Sequence, residues 1–90
     1  MNKEDKIQRL QEVLNEYEPF LRNYNKINVE LLIGGFDKEF VKISYYDVKN
    51  NKAYQAYNVE IPIEDLDITT KRYQEKVYYW KNKNKESLKV

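Results

Sequence analysis

Ninety residues make one domain with one modest core, because a chain of this size buries roughly 60–68% of the surface its unfolded form exposes. The absence of cysteine and histidine excludes a disulfide framework, a thiolate metal site and imidazole catalysis. Sixteen basic and fifteen acidic residues leave a net charge of +1, no apolar run is long enough to span a bilayer and the start of the chain is charged rather than signal-like; the expectation is a soluble, cytoplasmic protein.

Lys3 to Tyr17 is predicted to form an amphipathic helix. Ile7, Leu10, Leu14, Tyr17, Leu21 and Tyr24 recur at spacings of three and four, which lines them along one helical face. Asn2 or Asp5 is placed to cap its start, and Glu4 and Asp5 complement the helix dipole. Pro19 interrupts the run, because it lacks a backbone donor and pushes Glu18 out of the helical region. The helix either kinks there or stops near Glu16, with a second short helix carrying Pro19 in its first turn. The stripe continues through Leu21 and Tyr24, which favours helical structure on both sides. It also fits a coiled-coil heptad, but over only about two and a half repeats where three to four are the mark. Packing on the chain's own sheet is therefore preferred to a homodimer through this helix.

Ile27 to Ile33 is predicted as the first strand, with Ile27, Val29, Leu31 and Ile33 on one face. Gly34 and Gly35 read as a tight turn, since a phosphate-cradling loop needs a longer glycine pattern between a strand and a helix. Phe40 to Ile63 then reads as one long hairpin. Val41, Ile43 and Tyr45 alternate with Lys42, Ser44 and Tyr46; after a polar break, Tyr57, Val59 and Ile61 alternate with Ala56, Asn58 and Glu60. A two-residue turn at Asn50-Asn51 would set Ile43 opposite Asn58 and Val41 opposite Glu60. A three-residue loop, Lys49-Asn50-Asn51, sets Ile43 opposite Tyr57 and Val41 opposite Val59, so the apolar pattern selects it, with Asn51 left-handed. That register puts Tyr46 directly across from Tyr54.

Pro62 stops the third strand. Ile63 to Leu66 are expected to make one helical turn, and Asp67 or Thr69 to cap a final helix over 69–84. Tyr73, Val77 and Trp80 are spaced as on a helix face, yet Val77 to Trp80 has strong strand propensity. The competing arrangement pairs Lys76 to Trp80 with Ser87 to Val90 and closes a small five-stranded barrel. The helix is preferred, and with it an α+β fold: an N-terminal helix, a three-stranded antiparallel meander and a C-terminal helix in a single domain, 1–90. Residues 82–90 are expected to be a frayed basic tail.

Charge is spread unevenly. Residues 71–90 hold seven basic side chains and two acids, a local charge of +5, which leaves −4 on residues 1–70. Thirteen lysines against three arginines, with ten asparagines and nine tyrosines, is the excess that AT-rich codons supply. It points to an AT-rich bacterium, or to a phage or other mobile element living in one.

Catalysis would fall to carboxylates, tyrosines, lysines or the hydroxyls of Ser44, Ser87, Thr69 and Thr70, and none of these sits in a catalytic pattern. Glu64, Asp65 and Asp67 form the one close carboxylate group, but they lack the alternating ligands around a glycine of a calcium loop, and an acidic turn before a helix is the ordinary explanation. No metal or cofactor is expected. The aromatic surplus needs more explaining. Tyr17, Tyr24, Tyr45, Tyr57 and Tyr73 lie at core-facing spacings, whereas Tyr46, Tyr54, Tyr78 and Tyr79 exceed what so small a core can hide. Tyrosine suits recognition surfaces through its large contact area, few rotors and polar tip.

Two readings use these residues. In one, Phe40, Lys42, Tyr46, Lys52, Tyr54, Tyr78, Tyr79 and Trp80 anchor a protein–protein interface. In the other, Phe40, Tyr46 and Tyr54 form a stacking platform, and Lys71, Arg72, Lys76, Lys81, Lys83 and Lys85 follow a phosphate backbone. The order helix, three antiparallel strands, helix resembles that of the double-stranded RNA-binding domain, although Lys71-Arg72 stands where that family opens its last helix with a lysine-rich run, and Gly34-Gly35-Phe36 where it usually carries a histidine. The order is also similar to that of some small phage-encoded inhibitors of bacterial defence, including anti-CRISPR proteins. Near-zero net charge disfavours direct nucleic-acid binding. The expectation is a non-enzymatic protein that binds and inhibits a larger host protein, with nucleic-acid binding second and a self-associating structural subunit third.

Overall fold

The computed structural model describes residues 2–88, with side chains as far as Lys83. Helix α1 (Lys3–Tyr17) starts where the Asn2 side-chain oxygen accepts from the Asp5 amide at 2.8 Å. Pro19 ends it: a 3-10 turn, Glu18–Phe20, holds the proline, and Leu21 is already extended. Leu21 and Tyr24 therefore reach the core from an irregular segment, not from the helical structure expected beyond Pro19.

Strands β1 (Lys26–Ile33), β2 (Glu39–Lys49) and β3 (Lys52–Pro62) form an antiparallel meander in the order β1-β2-β3. Helix α2 (Leu66–Leu88) follows a 3-10 turn at Ile63–Asp65. The α+β expectation holds, and Val77 to Trp80 is helical, so no barrel forms. Propensity loses there because Val77 is buried and Trp80 stacks on Phe20, with centroids 6.4 Å apart, as a helix face permits. The 3-10 turn runs straight into α2, so neither Asp67 nor Thr69 caps it: Thr69 is buried within the helix and Asp67 pairs with Lys6 at 3.1 Å. Of the tail expected to fray over 82–90, the backbone up to Leu88 belongs to α2, and residues 89–90 lie outside the described residues.

Both helices lie on one face of the sheet. Leu10 and Leu14 of α1 and Leu66 of α2 close over Ile27, Val29, Val41, Ile43 and Tyr45. Leu10, Leu14, Ile27 and Ile43 are completely buried, and each such side chain contributes about 1.5–3 kcal/mol of burial free energy. The apolar stripe of α1 is thus enclosed by its own sheet, and the seam proposed for a homodimer has no apolar face left on that helix.

Two turns differ from expectation. Between β1 and β2 the left-handed residues are Phe36 (φ 59°) and Asp37 (φ 57°), not the glycines. Gly34 matters for space instead: a Cβ there would stand 2.8 Å from the Phe40 ring. In the hairpin, Asn50 (φ 52°) and Asn51 (φ 63°) make a two-residue turn that pairs Lys49 with Lys52 and Tyr46 with Gln55. A bulge then shifts the ladder, so Tyr45 meets Tyr57, Ile43 meets Val59 and Val41 meets Ile61. The favoured turn and the apolar pairing are both kept because the bulge absorbs one residue. The three-residue loop is therefore incorrect, and so is the pairing of Tyr46 with Tyr54. Tyr54 lies opposite Asp47, on the other face from Tyr46.

Candidate docking groove between the third strand and the second helix

The two edges of the sheet are treated differently. On the β1 side, Gln11 of α1 meets the outward backbone at the start of the strand: its Oε1 accepts from the Val29 amide at 2.8 Å and its Nε2 donates to the Ile27 carbonyl at 3.0 Å, while no side chain among the described residues bonds the outward groups of Leu31 and Ile33. Glu18 Oε1 accepts from the Ile27 amide at 2.9 Å. Asn25 serves Val48 in the same way, donating to its carbonyl at 2.9 Å and accepting from its amide at 2.8 Å. Among the described residues no side chain hydrogen-bonds the backbone of β3.

Alternation fixes which β3 groups face outward. Ile27 and Val29 point away from β2, so the even-numbered residues of β2 bond to β1 and the odd-numbered ones to β3. Tyr57, Val59 and Ile61 pair inward with those odd residues, which leaves the amide and carbonyl groups of Asn58 and Glu60 on the outer edge.

Helix α2 stands off from this strand. Between them runs an open groove of about 740 Å³, with Val59 and Ile61 on the strand wall and Ile68, Thr69, Arg72, Tyr73, Lys76 and Tyr79 on the helix wall. Ile68 is 50% exposed and Tyr79 56%. Tyr57, placed by its spacing in the core, is 53% exposed because α2 leaves the edge strand uncovered. Its ring still packs on Tyr45, centroids 5.4 Å apart.

At the base of the groove the Tyr45 and Tyr73 hydroxyls are hydrogen-bonded to each other. Burial pushes both phenols above their ordinary range, and for Tyr45 the bond to Tyr73 adds to the shift. Tyr73 also meets Tyr17 edge-on, 5.7 Å between centroids, which ties the groove wall to α1. Lys76 Nζ lies 5.1 Å from the Tyr73 ring centroid. Among the described residues Arg72 has no acid within ion-pair distance. The lining offers apolar area, phenol hydroxyls and charges of both signs, Arg72 and Lys76 beside Glu60, Asp65 and Glu75, the chemistry of binding.

The residues singled out in the sequence fall into separate places. Phe40, Lys42 and Tyr46 share the face that no helix covers. There Lys42 lies between Glu30 and Glu60 across the strands, a row that cancels its charge. Lys52 and Tyr54 are near the hairpin tip on the opposite face, so the platform of Phe40, Tyr46 and Tyr54 does not assemble. Arg72, Lys76 and Tyr79 come together in the groove. Tyr79 meets Trp80 edge-on at 5.4 Å, and Lys83 Nζ lies within 5.7 Å of both ring centroids. Tyr78 points to solvent, Lys71 lies by Lys6 and Arg9, and Lys81 pairs with Glu16 at 3.9 Å. The Lys85 side chain lies outside the described residues.

Val59, Ile61, Ile68 and Tyr73 were not readable as site residues, because alternation along a strand looks the same whether a helix covers it or not. One signal was available: three strands with an apolar face need more cover than one short and one polar-rich helix supply. Phe36 also escaped notice, though it is 100% exposed on its left-handed turn. No protein-family model, no curated protein and no solved structure matches this chain.

Proposed function

We propose that this chain is a non-enzymatic interaction protein that works by occupying a surface of a larger protein. The observation that carries the reading is the groove between β3 and α2, where Ile68 and Tyr79 stand about half exposed beside Val59 and Ile61. Exposed aromatic anchors beside an apolar cleft are what protein interfaces are built on. Composition supports a phage or mobile-element origin, with a host defence or nucleic-acid-handling enzyme as partner and inhibition as the outcome. The nucleic-acid alternative draws less support from the fold, since Lys42 is flanked by acids and Lys81 is paired.

The test compares capture of a host partner by the wild-type chain, Ile68→Glu and Tyr79→Ala, with melting temperatures measured alongside. Both variants are expected to lose capture and to melt within a few degrees of wild type. Retained capture would remove the groove from the interface. A parallel titration with labelled single-stranded DNA, duplex DNA and RNA at low and physiological salt is expected to show no tight binding. Micromolar affinity that falls steeply with salt would favour the nucleic-acid reading instead.

A further inference from the structure

We infer that in the free protein the groove is closed by a second copy of the chain, joined about a two-fold axis with β3 beside β3 and α2 beside α2. The inference goes beyond the docking reading, since it names what covers the groove before a host protein does. A two-fold contact places the same surface on both sides, so that surface must complement its own inversion. Two series of residues in the groove meet this condition. Along α2, Ile68, Arg72, Glu75 and Tyr79 follow at spacings of four, three and four, and all line the groove. Inverted about its midpoint, the series sets Ile68 against Tyr79 of the second copy and Arg72 against Glu75. Asp65 before it and Lys83, beside the Tyr79 ring, extend the match with opposite charges. Arg72 and Glu75 are exposed, and among the described residues neither makes an ion pair within its own chain. A groove of one sign would repel its copy, whereas this one carries both signs in complementary order.

The strand wall has the same property. Antiparallel pairing about Val59 lets Asn58, whose backbone groups face outward, exchange both hydrogen bonds with Glu60 of the second copy. On the groove face it sets Val59 against itself and the half-exposed Tyr57 against Ile61, all of them apolar or aromatic. The two midpoints also lie level. Helix α2 turns back from the end of β3, and Tyr73, at the centre of its series, bonds Tyr45, the strand partner of Tyr57. From Leu66 to the midpoint of Arg72 and Glu75 is about 11 Å of helix, and from Pro62 back to Val59 is about 10 Å of strand. One axis through Val59 therefore serves both series. The β1 edge also has outward groups at Leu31 and Ile33, but Gln11 and Glu18 fill those at Ile27 and Val29, so it offers a shorter ladder.

Sedimentation velocity of the full chain is expected to show a dimer at high micromolar concentration that dissociates on dilution. Arg72→Glu sets acid against acid at both symmetric contacts, and Glu75→Arg sets base against base, so each should weaken the dimer about tenfold or more. An equimolar mixture of the two variants should restore it, because every contact then joins a glutamate to an arginine. Both variants should melt within a few degrees of wild type at dilutions where all three are monomers. In the wild-type dimer the Asn58 and Glu60 amides should exchange slowly with deuterium, and in Arg72→Glu they should exchange fast. A monomer at every concentration overturns the inference and leaves the docking groove standing. A dimer that neither charge variant weakens, or a mixture that stays monomeric, overturns it too. Fast exchange at Asn58 and Glu60 in the wild-type dimer would remove the strand pairing and with it the proposed axis. Host capture that persists in Ile68→Glu and Tyr79→Ala defeats the docking reading and leaves the sedimentation result untouched.

Discussion

The Tyr45 and Tyr73 hydroxyls are each other's partner in a half-buried position, so neither side chain can be trimmed alone without leaving the other unpaired. Tyr45→Phe is expected to cost about 1–2 kcal/mol in urea unfolding, and Tyr45→Phe with Tyr73→Phe less than twice that. Ionisation has a definite sign here. Both phenols titrate above their usual value of 10.0 in the folded chain, so above that pH the unfolded chain loses protons that the folded chain keeps. Stability is full below pH 10 and falls as pH rises beyond it. The melting temperature should decline there, and the double phenylalanine variant should decline less steeply. At this scale the sequence was partly legible. Spacing placed Tyr17, Tyr24, Tyr45 and Tyr73 inside, and the structure agrees. It misplaced Tyr57, because periodicity reports which face a residue is on and says nothing about whether anything lies over that face.

At the level of elements, the hairpin shows how two sound rules gave the wrong register when only one was obeyed. The Asn50-Asn51 turn and the apolar pairing conflict in an unbroken ladder, and the bulge near Ala56 reconciles them. A bulge has no strong mark in a run such as Gln55-Ala56, whereas the strands on either side were plain from alternation. Asn51→Gly is expected to raise stability by a few tenths to 1 kcal/mol, since glycine adopts the left-handed turn without strain, and Asn51→Ala to lower it by a similar amount. Helix α1 was legible from its stripe and its Asn2 cap. Leu14, completely buried between α1 and the sheet, sets the sharper test: Leu14→Ala should cost about 2–5 kcal/mol, and Leu14→Glu should give an unfolded chain by circular dichroism rather than a folded monomer. Helix α2 was harder to read, because Val77-Tyr78-Tyr79-Trp80 favours a strand locally and is overruled by burial of Val77 and stacking of Trp80 on Phe20. That contact makes the single tryptophan a fluorescent reporter of α2 docking.

Across the whole molecule, the order of elements and the uneven charge were present in the sequence, while the difference between the two sheet edges was not. That difference depends on where Gln11, Glu18 and Asn25 arrive after folding, and each reads in isolation as an ordinary polar surface residue. Gln11→Ala should cost about 1–3 kcal/mol by stranding the Val29 amide and the Ile27 carbonyl, measured by urea unfolding. The same variant has a second expected outcome. Strands that can be joined on both sides propagate, as filaments do, because each addition regenerates a place for the next. On β1 the stop is local: Gln11 and Glu18 fill the edge at Ile27 and Val29, whereas no side chain among the described residues bonds the edge at Leu31 and Ile33. Gln11→Ala removes that stop, and light scattering at high concentration should rise with time in the variant and stay flat in the wild type.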